Sequence, residues 1–432
     1  MIEGYCHPDF KELENHFRSL IDSGYETGAS FAVEKDGEMI VDLWGGFKDK
    51  EKTMPWDKDT ICNVFSVTKG IIVPCMMHLV EQGKISLDDK VSKYWPEYGT
   101  NGKENTLIKH FLTHRAGMFG FKERLENPRW QDWSSFIKTL ETQEPFHEPG
   151  TSQGYHALTY GFLNGELFRR VTGQTIGSYF KEHIADPFDL NFKIGLDEED
   201  LPNCADTISI SDAMGPSKGF QIFISLIPEL FLPQPLKNIK RWFRKGDFKV
   251  AFDSTAANDD QNYMNSSDWR MAEIPAGNGH VNSNALAKFY GILSNGGSRD
   301  GKTIMSRESI NQALTPHTSG PDTVLFFGDI KFGLGYLLNT QLSPIGRSES
   351  AFGHAGIGGA CAYGDTDKKI GFSYINNKIS ESEVHSMFEE AVSIEKKFIC
   401  DSLPPENISI IDVPTFMTTP LLALSTECFA TA

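Results

Sequence analysis

The chain has 432 residues, which is long enough for two or three ordinary domains or for one large two-lobed enzyme. Its 41 Lys and Arg residues and 58 Asp and Glu residues give a formal net charge of −17 at pH 7, which argues against a nucleic-acid partner because binding a polyanion requires clustered cations. The hydrophobic fraction of 39%, with 39 glycines in addition, is typical of a globular protein with a substantial core and excludes a disordered chain.

The first predicted elements are a helix and a pair of strands. An amphipathic helix over residues 8–22 ends at the Ser23-Gly24 break, and two strands follow at 29–35 and 38–44. Asp36-Gly37 lies between these strands, and an Asp-Gly pair between alternating apolar runs is the strongest short-range signal for a β-hairpin.

The pattern then becomes helical from Ser66 onward. Apolar residues recur at four-residue spacing up to Val80, and Gly83 ends the predicted helix. Pro74 lies inside this helix and removes the hydrogen bond to the Gly70 carbonyl, so we expect a kink there. A second helix is predicted from Tyr155 to residue 172, and further helices at 283–295 and 306–314.

Strand patterns return near the end of the chain. They cover residues 332–338, 360–363 and 370–375, and a closing helix is predicted at 382–398. This order is not the βαβ alternation of a doubly wound fold. It predicts a two-lobed α/β protein, in which an antiparallel sheet built from both chain ends is flanked by N- and C-terminal helices and a mainly helical lobe is inserted between its halves.

The sharpest chemical signal is the pair Ser66 and Lys69 in the segment 65–70. Residues three apart on a helix face the same side, so the lysine is placed to activate the serine hydroxyl as a nucleophile. If Ser66 begins the helix, free backbone N–H groups also favour negative charge there. The same spacing occurs at Ser135 with Lys138 and at Ser178 with Lys181, and alone it equally fits a helix-capping serine beside a surface lysine.

Further motifs give the chain a resemblance to a known group. Matching stretches are Asp42-Leu43-Trp44-Gly45-Gly46, Tyr94-Trp95-Pro96-Glu97, Leu112-Thr113-His114-Arg115-Ala116-Gly117 and Pro149-Gly150. With the serine–lysine pair, they resemble the penicillin-recognising serine hydrolases: class C β-lactamases, DD-peptidases and family VIII carboxylesterases. The resemblance is closest to the esterase-like branch. It implies a single β-lactamase/DD-peptidase-like catalytic domain over 1–402, with a sheet lobe at 1–62 and 320–402, a helical lobe at 63–319, and a tail at 403–432.

The resemblance also implies roles for two other motifs. In the group's tyrosine motif, here Tyr155-His156-Ala157, Tyr155 would be the general base that takes the Ser66 proton. In the strand motif, here His354-Ala355-Gly356 just before a small-residue strand, the three residues would contact substrate, and the N–H groups of Ile357 and Ser66 would form an oxyanion hole. Taken alone, a half-buried packing tyrosine and a glycine-rich strand edge would explain these residues as well.

Two departures from the group's pattern concern the substrate. Ala157 replaces an asparagine that helps to hold a β-lactam, and His354 replaces a lysine that pairs with its carboxylate. Both weaken recognition of charged β-lactams, so we expect a small-molecule ester substrate cleaved through a Ser66 acyl-enzyme. The alternatives are a β-lactamase or D-residue peptidase with the same machinery, and a non-catalytic scaffold that works by self-association. No metal or organic cofactor is implied.

Two other patterns resemble functional motifs, but we expect them to have structural roles. Gly150-Thr151-Ser152-Gln153-Gly154 matches the nucleophile elbow of α/β-hydrolases, but a loop precedes it where a strand is required. His110 and His114 have the spacing of zinc ligands, but the glutamate of a zinc protease is absent at Phe111. We expect capping and packing histidines there and no metal site.

The segment 220–245 joins an apolar stretch to a basic, aromatic cluster. Both an active-site flap and a patch that touches a bilayer have this pattern. Pro228, Pro233 and Pro235 argue against one continuous amphipathic helix, so we expect a flap that lines an acyl pocket rather than membrane contact.

The expected compartment is the cytoplasm. The N-terminus has no signal-peptide pattern, and no apolar run reaches the ~18 residues of a membrane span. The seven cysteines are far apart and form no C-x-x-C pair, which favours free thiols in a reducing compartment over disulfides or a zinc ribbon.

Overall fold

The computed structural model describes residues 2–379, apart from positions 124, 126–127, 209–239, 241–245, 253–261, 326–328, 341–344 and 347. The predicted flap, except for Lys240 at its basic end, therefore lies outside the described residues. The closing helix at 382–398 and the tail at 403–432 lie outside them as well.

The described helices follow one another mainly between two groups of strands. The α-helices are α1 Lys11–Asp22, α2 Lys69–Glu81, α3 Ile108–Leu112, α4 Trp133–Thr142, α5 Thr159–Thr172, α6 Ile176–Phe180, α7 Asp186–Phe188, α8 Asp247–Phe252, α9 Ser267–Arg270, α10 Ser283–Ser294 and α11 Arg307–Leu314. A π-helical turn, Lys181–Ala185, joins α6 to α7, and 3-10 turns precede α1 at Pro8–Phe10 and α2 at Phe65–Thr68.

Nine of the described strands form one antiparallel sheet in the order β1-β3-β2-β14-β13-β12-β11-β10-β9. A second sheet has the order β4-β6-β5, and β7 pairs with β8. The strands are β1 Ile2–Cys6, β2 Gly28–Lys35, β3 Glu38–Gly46, β4 Cys62–Asn63, β5 Phe192–Ile194, β6 Gly279–Val281, β7 Ser298–Arg299, β8 Lys302–Thr303, β9 Thr318–Gly320, β10 Ile330–Phe332, β11 Leu337–Leu338, β12 Ala351–Ala355, β13 Cys361–Asp365 and β14 Ile370–Asn376.

The large sheet joins the two ends of the chain. β2 pairs with β14 from Lys35 opposite Ile370 to Ala29 opposite Asn376. Most helices lie between β3 and β9 in the sequence. The predicted mixed α/β architecture, with an antiparallel sheet from both chain ends and helices inserted between them, is confirmed.

Helices cover the two faces of this sheet. On one face, Leu13, Phe17 and Leu20 of α1 are buried in a cluster with Phe31 and Phe372 of the central strands. On the other, α10 packs across β2, β13 and β14. Side chains on one face recur every three or four residues along a helix and every two residues along a strand. The helices and the sheet can therefore pack with continuous apolar faces against each other.

Glycines allow β14 and α10 to approach closely. A β carbon at Gly371 would lie 2.1 Å from the Ala287 carbonyl oxygen and 2.2 Å from the Gly291 nitrogen. Any side chain at this position would push the helix off the sheet, so Gly371 sets the distance between these two layers.

Two predicted boundaries were wrong. The helix expected from Tyr155 begins at Thr159, because the N–H groups around Tyr155 donate outside the helix, that of Tyr155 itself to Asp322 Oδ1 at 3.0 Å. The single strand expected at 332–338 is a hairpin of β10 and β11, because Gly335 turns the chain with a φ of 77°. The strand motif precedes the small-residue strand β13 as predicted, and its first two residues, His354 and Ala355, also end β12.

The carbonyl freed by the proline in α2 has a partner. The helix continues through Pro74, which cannot donate to the Gly70 carbonyl. Instead the Tyr336 hydroxyl, which is buried, donates to that oxygen at 3.0 Å. A buried carbonyl is thus satisfied from outside the helix, and this bond fixes the loop between β10 and β11 against the start of α2.

Candidate active site

Ser66 lies where β4 leads into α2. It occupies the 3-10 turn Phe65–Thr68, which continues directly as α2, so Ser66 lies in the helical turn just before the α-helix, which itself begins at Lys69. The first N–H groups of a helix have no intrahelical partner. Phe65, immediately before the serine, has a φ of 47°, a left-handed conformation that residues with a β carbon rarely adopt and that clusters at functional sites.

Lys69 points into the protein rather than to solvent. Its exposed fraction is 0%, and its Nζ lies 3.1 Å from Ser66 Oγ. Nζ also donates to two carbonyl oxygens, those of Ala157 and Ala276, each at 2.8 Å. Burial lowers the pKa of Lys69 well below its ordinary value, because the charged ammonium loses its hydration.

Nζ has three oxygen partners, Ser66 Oγ and the two carbonyl oxygens, and as an ammonium it donates to all three. Its burial favours the neutral amine instead. A neutral amine has two N–H groups and one lone pair, and the two carbonyl oxygens accept both N–H groups. The lone pair is then left for the hydroxyl proton of Ser66, and no acidic side chain accepts a hydrogen bond from Nζ within the described residues. In its neutral form Lys69 can therefore accept a proton from the serine beside it.

Tyr155 approaches the pair from the segment before α5. Its side chain is hydrogen-bonded to that of Ser66, and Lys69 Nζ lies 4.9 Å from the centre of its ring. Burial raises the pKa of Tyr155, and the nearby Asp322 carboxylate raises it further, against a lowering by the Ser66 hydrogen bond. The environment thus favours the protonated phenol.

The strand motif lies against the turn that carries the serine. Gly356 follows β12, and a β carbon there would lie 2.5 Å from the Val64 carbonyl oxygen and 3.3 Å from Phe65 Cβ. Glycine is required for this approach, which brings the N–H of Ile357 next to the turn that carries Ser66.

His354 is buried beside Tyr155. The two ring centres are 5.9 Å apart, and His354 Nδ1 lies 2.7 Å from the carbonyl oxygen of Ala355. Burial, together with the proximity of Lys69, lowers the pKa of His354 to about 3. At neutral pH this side chain therefore carries no charge.

Several residues that shape the site were not predicted from sequence. The carbonyl of Ala276 accepts from Lys69, and its loop is held by Asn278, whose amide donates to Trp269 and Ala272. Thr68 Oγ1 accepts from the Gly279 N–H at 2.8 Å. A backbone carbonyl such as that of Ala276 cannot be identified as an acceptor from its side chain. Thr68, which is buried, does lie within the segment 65–70 that contains the serine–lysine pair.

The other motifs have structural roles. Ser152 lies in a loop rather than between a strand and a helix. His110 Nδ1 accepts from the Leu107 N–H at 3.2 Å at the start of α3, so it is a capping histidine as predicted. Within the described ranges, no three His, Cys, Asp or Glu side chains are grouped so that they could hold a metal ion. Among the helices described, none has both the length and the apolarity to cross a bilayer.

Comparison with known proteins assigns the family. A model of the beta-lactamase family matches residues 13–391, and the chain belongs to this family. It is similar to the esterase/beta-lactamase LipL of Mycobacterium tuberculosis, with 29% identity over 384 residues that cover 88% of this chain and 83% of that protein.

Solved structures agree with this assignment. A family VIII carboxylesterase has a TM-score of 0.77 and 30% identity, with 91% of this chain and 99% of that chain covered. A penicillin-binding protein homologue from Caulobacter crescentus has a TM-score of 0.75 and 31% identity, with 91% and 98% covered. The resemblance to the penicillin-recognising serine hydrolases is thereby confirmed.

Proposed function

We propose that the chain is a serine hydrolase that cleaves small carboxylic esters through an acyl-enzyme on Ser66. The observation that carries this proposal is the buried Lys69, whose two N–H groups are taken by carbonyl oxygens while its Nζ lies 3.1 Å from Ser66 Oγ. Such an amine has its lone pair free to accept the serine proton. The names of the related esterases support an ester substrate.

In the first half of the reaction, Lys69 accepts the proton of Ser66 as Oγ attacks the ester carbonyl. The N–H groups of Ser66 and Ile357 donate to the oxyanion that forms. Tyr155 then protonates the leaving alkoxide, and the Lys69 ammonium returns the proton to the phenolate. This assigns the base to Lys69 rather than to Tyr155, because burial raises the pKa of the phenol and lowers that of the amine.

In the second half, water replaces the alcohol. Lys69 and Tyr155 relay a proton from the water as it attacks the acyl carbonyl. The tetrahedral intermediate collapses, the bond to Ser66 Oγ breaks, and Oγ takes back a proton. The products are a carboxylic acid and an alcohol, and both side chains return to their initial protonation states.

The substrate is proposed to be uncharged near the reacting carbonyl. The resemblance implies that His354, Ala355 and Gly356 contact the substrate, and burial keeps His354 neutral. A neutral imidazole offers no ion pair to a carboxylate, so the anionic group of a β-lactam gains nothing at this position. Ala157 contributes its backbone carbonyl to Lys69 but no side-chain amide to the substrate.

The test compares two substrates and one probe. Turnover of a short-chain p-nitrophenyl ester should exceed that of a chromogenic cephalosporin, and a fluorophosphonate should label Ser66. Ser66→Ala should abolish both, whereas Ser152→Ala, which removes the serine of the nucleophile-elbow motif, should change neither. Faster cephalosporin turnover would identify a lactamase, and a protein that neither turns over nor reacts with the probe would be a scaffold.

Three finer assignments are part of the proposal. They are a single catalytic domain over residues 1–402, a flap over 220–245 that sets the acyl chain length, and a cytoplasmic location. The five cysteines within the described residues are free thiols, which supports a reducing compartment. Deletion of 220–245 should alter the preferred acyl length; an unchanged preference would count against the flap.

A further inference from the structure

The three consecutive N–H groups at Tyr155 are held by only two residues. Those of Gly154 and His156 donate to the carbonyl oxygen and to Nδ1 of His114, each at 3.0 Å. That of Tyr155 donates to Asp322 Oδ1, also at 3.0 Å. Since this segment precedes α5, none of these donors has a partner within that helix, and the two residues supply the bonds that fix the backbone there.

His114 has an unusual backbone conformation that makes this possible. Its φ is 56°, in the left-handed region where asparagine, aspartate and histidine are several-fold enriched among residues with a β carbon. The residue is fully buried. With this conformation, one residue places its carbonyl oxygen and its ring nitrogen on the two amides that flank Tyr155.

The proton of His114 is assigned by its partners. Nδ1 accepts from the His156 N–H, so it holds the lone pair and the proton of the neutral ring is on Nε2. Burial lowers the pKa of His114 well below its ordinary value, and the neighbouring His156, Lys69 and His354 lower it further. The acceptor at Nδ1 is thus retained at neutral pH.

The His114 ring also packs against the catalytic tyrosine. The ring centres of His114 and Tyr155 are 4.8 Å apart, and those of Tyr160 and Phe332 lie 4.8 and 4.6 Å from that of His114. A pure packing role would require only the volume of the ring. The hydrogen bond from His156 requires an acceptor at the Nδ1 position.

We propose that His114 is a positioning residue: through its Nδ1 and its carbonyl oxygen it holds the backbone on both sides of Tyr155, so that the phenol meets Ser66. The inference rests on the proposed function, in which Tyr155 protonates the leaving group. His114 touches neither the substrate nor the reacting atoms, and its effect reaches the reaction only through the tyrosine.

A matched pair of variants separates the acceptor from packing. His114→Asn loses the ring but keeps an oxygen acceptor near the Nδ1 position, and His114→Gly loses both. Asparagine and glycine tolerate a positive φ. We expect the kcat of His114→Gly to fall about 10²-fold with little change in KM, since misplacement of a catalytic group by about 1 Å costs this much. The kcat of His114→Asn should be at least about tenfold higher than that of His114→Gly. If the glycine variant does not fold, His114→Leu, which restores volume without an acceptor, replaces it. Equal losses would overturn the inference.

A second readout does not depend on turnover. In protein labelled with 13C at the tyrosine ring carbon that bears the hydroxyl, Tyr155→Phe identifies the Tyr155 resonance among those of the 12 tyrosines. This resonance should shift or broaden in His114→Gly and remain near its wild-type position in His114→Asn. An unchanged resonance in His114→Gly would refute the positioning role. Wild-type protein without ester turnover would instead refute the proposed function and leave this test intact.

Discussion

Replacing Lys69 by methionine tests the assignment of the base. Methionine has a similar length but no lone pair on nitrogen, so the Ser66 hydroxyl loses its proton acceptor. General-base catalysis contributes about 10²–10⁴-fold, and kcat/KM for a neutral ester should fall by that factor. The carbonyls of Ala157 and Ala276 also lose their donor, and an unpaired buried acceptor costs about 1–3 kcal/mol. The melting temperature should therefore fall as well.

The assay is ester turnover normalised to folded enzyme, measured well below the melting temperature of the variant. A control is available within the chain, because Ser135 and Lys138 have the same spacing. Lys138 is on the surface, with 74% of its side chain exposed, and Lys138→Met should leave both turnover and stability unchanged. Turnover of Lys69→Met within a few-fold of wild type would refute the assignment of Lys69 as the base.

The same lysine predicts a pH dependence. Its pKa is lowered in the folded protein, and the base form is lost as pH falls through that folded value, so turnover should fall on the acid side. Between the folded value and the ordinary value of 10.5, the unfolded chain binds the extra proton. Lys69 then makes stability rise with pH by about 1.4 kcal/mol per unit in that window. Lys69→Met should lose this slope in denaturation measured at several pH values.

Three further predictions concern the surroundings of the site. Tyr336→Phe should destabilise the fold by about 1–3 kcal/mol in chemical denaturation. The loss should be smaller in the Pro74→Ala background, where the helix supplies a donor to the Gly70 carbonyl; equal losses in both backgrounds would contradict the hydrogen bond from Tyr336 to that carbonyl. His354→Lys should lower KM for a carboxylate-bearing cephalosporin and leave KM for a neutral ester nearly unchanged, as measured by steady-state kinetics. Gly356→Ala should reduce kcat by about 10²-fold, because its β carbon would displace the turn beside the nucleophile; unaltered kinetics would show that the close approach is dispensable.

The serine–lysine pair could be predicted because its geometry is local. Helical spacing alone places Lys69 beside Ser66, and the same argument predicted the end of α5 at Gly173, whose φ is 76°. The architecture was also predictable, since the order of strands and helices excludes βαβ units. These inferences require only the periodicity of single elements.

The remainder of the site depends on contacts between distant segments. Tyr155 was expected at the start of a helix. Instead its N–H donates to Asp322 and the N–H of His156 donates to His114, so the backbone there is not helical. The pKa of Lys69 depends on how deeply tertiary packing buries it. The carbonyl of Ala276 has no side chain through which it could be recognised. Local sequence patterns carry no information about such partners.

The pairing of β2 with β14 has a consequence for biosynthesis. The N–H of Gly28 donates to the Asn377 side chain at 3.0 Å, across 349 positions of the chain. During translation the first three strands emerge early, but β2 has an unpaired edge until its partner β14 has left the ribosome. Such an edge can template aggregation. Termination of the chain before residue 370 would therefore remove a strand from within the sheet, between β2 and β13, rather than a strand at its border.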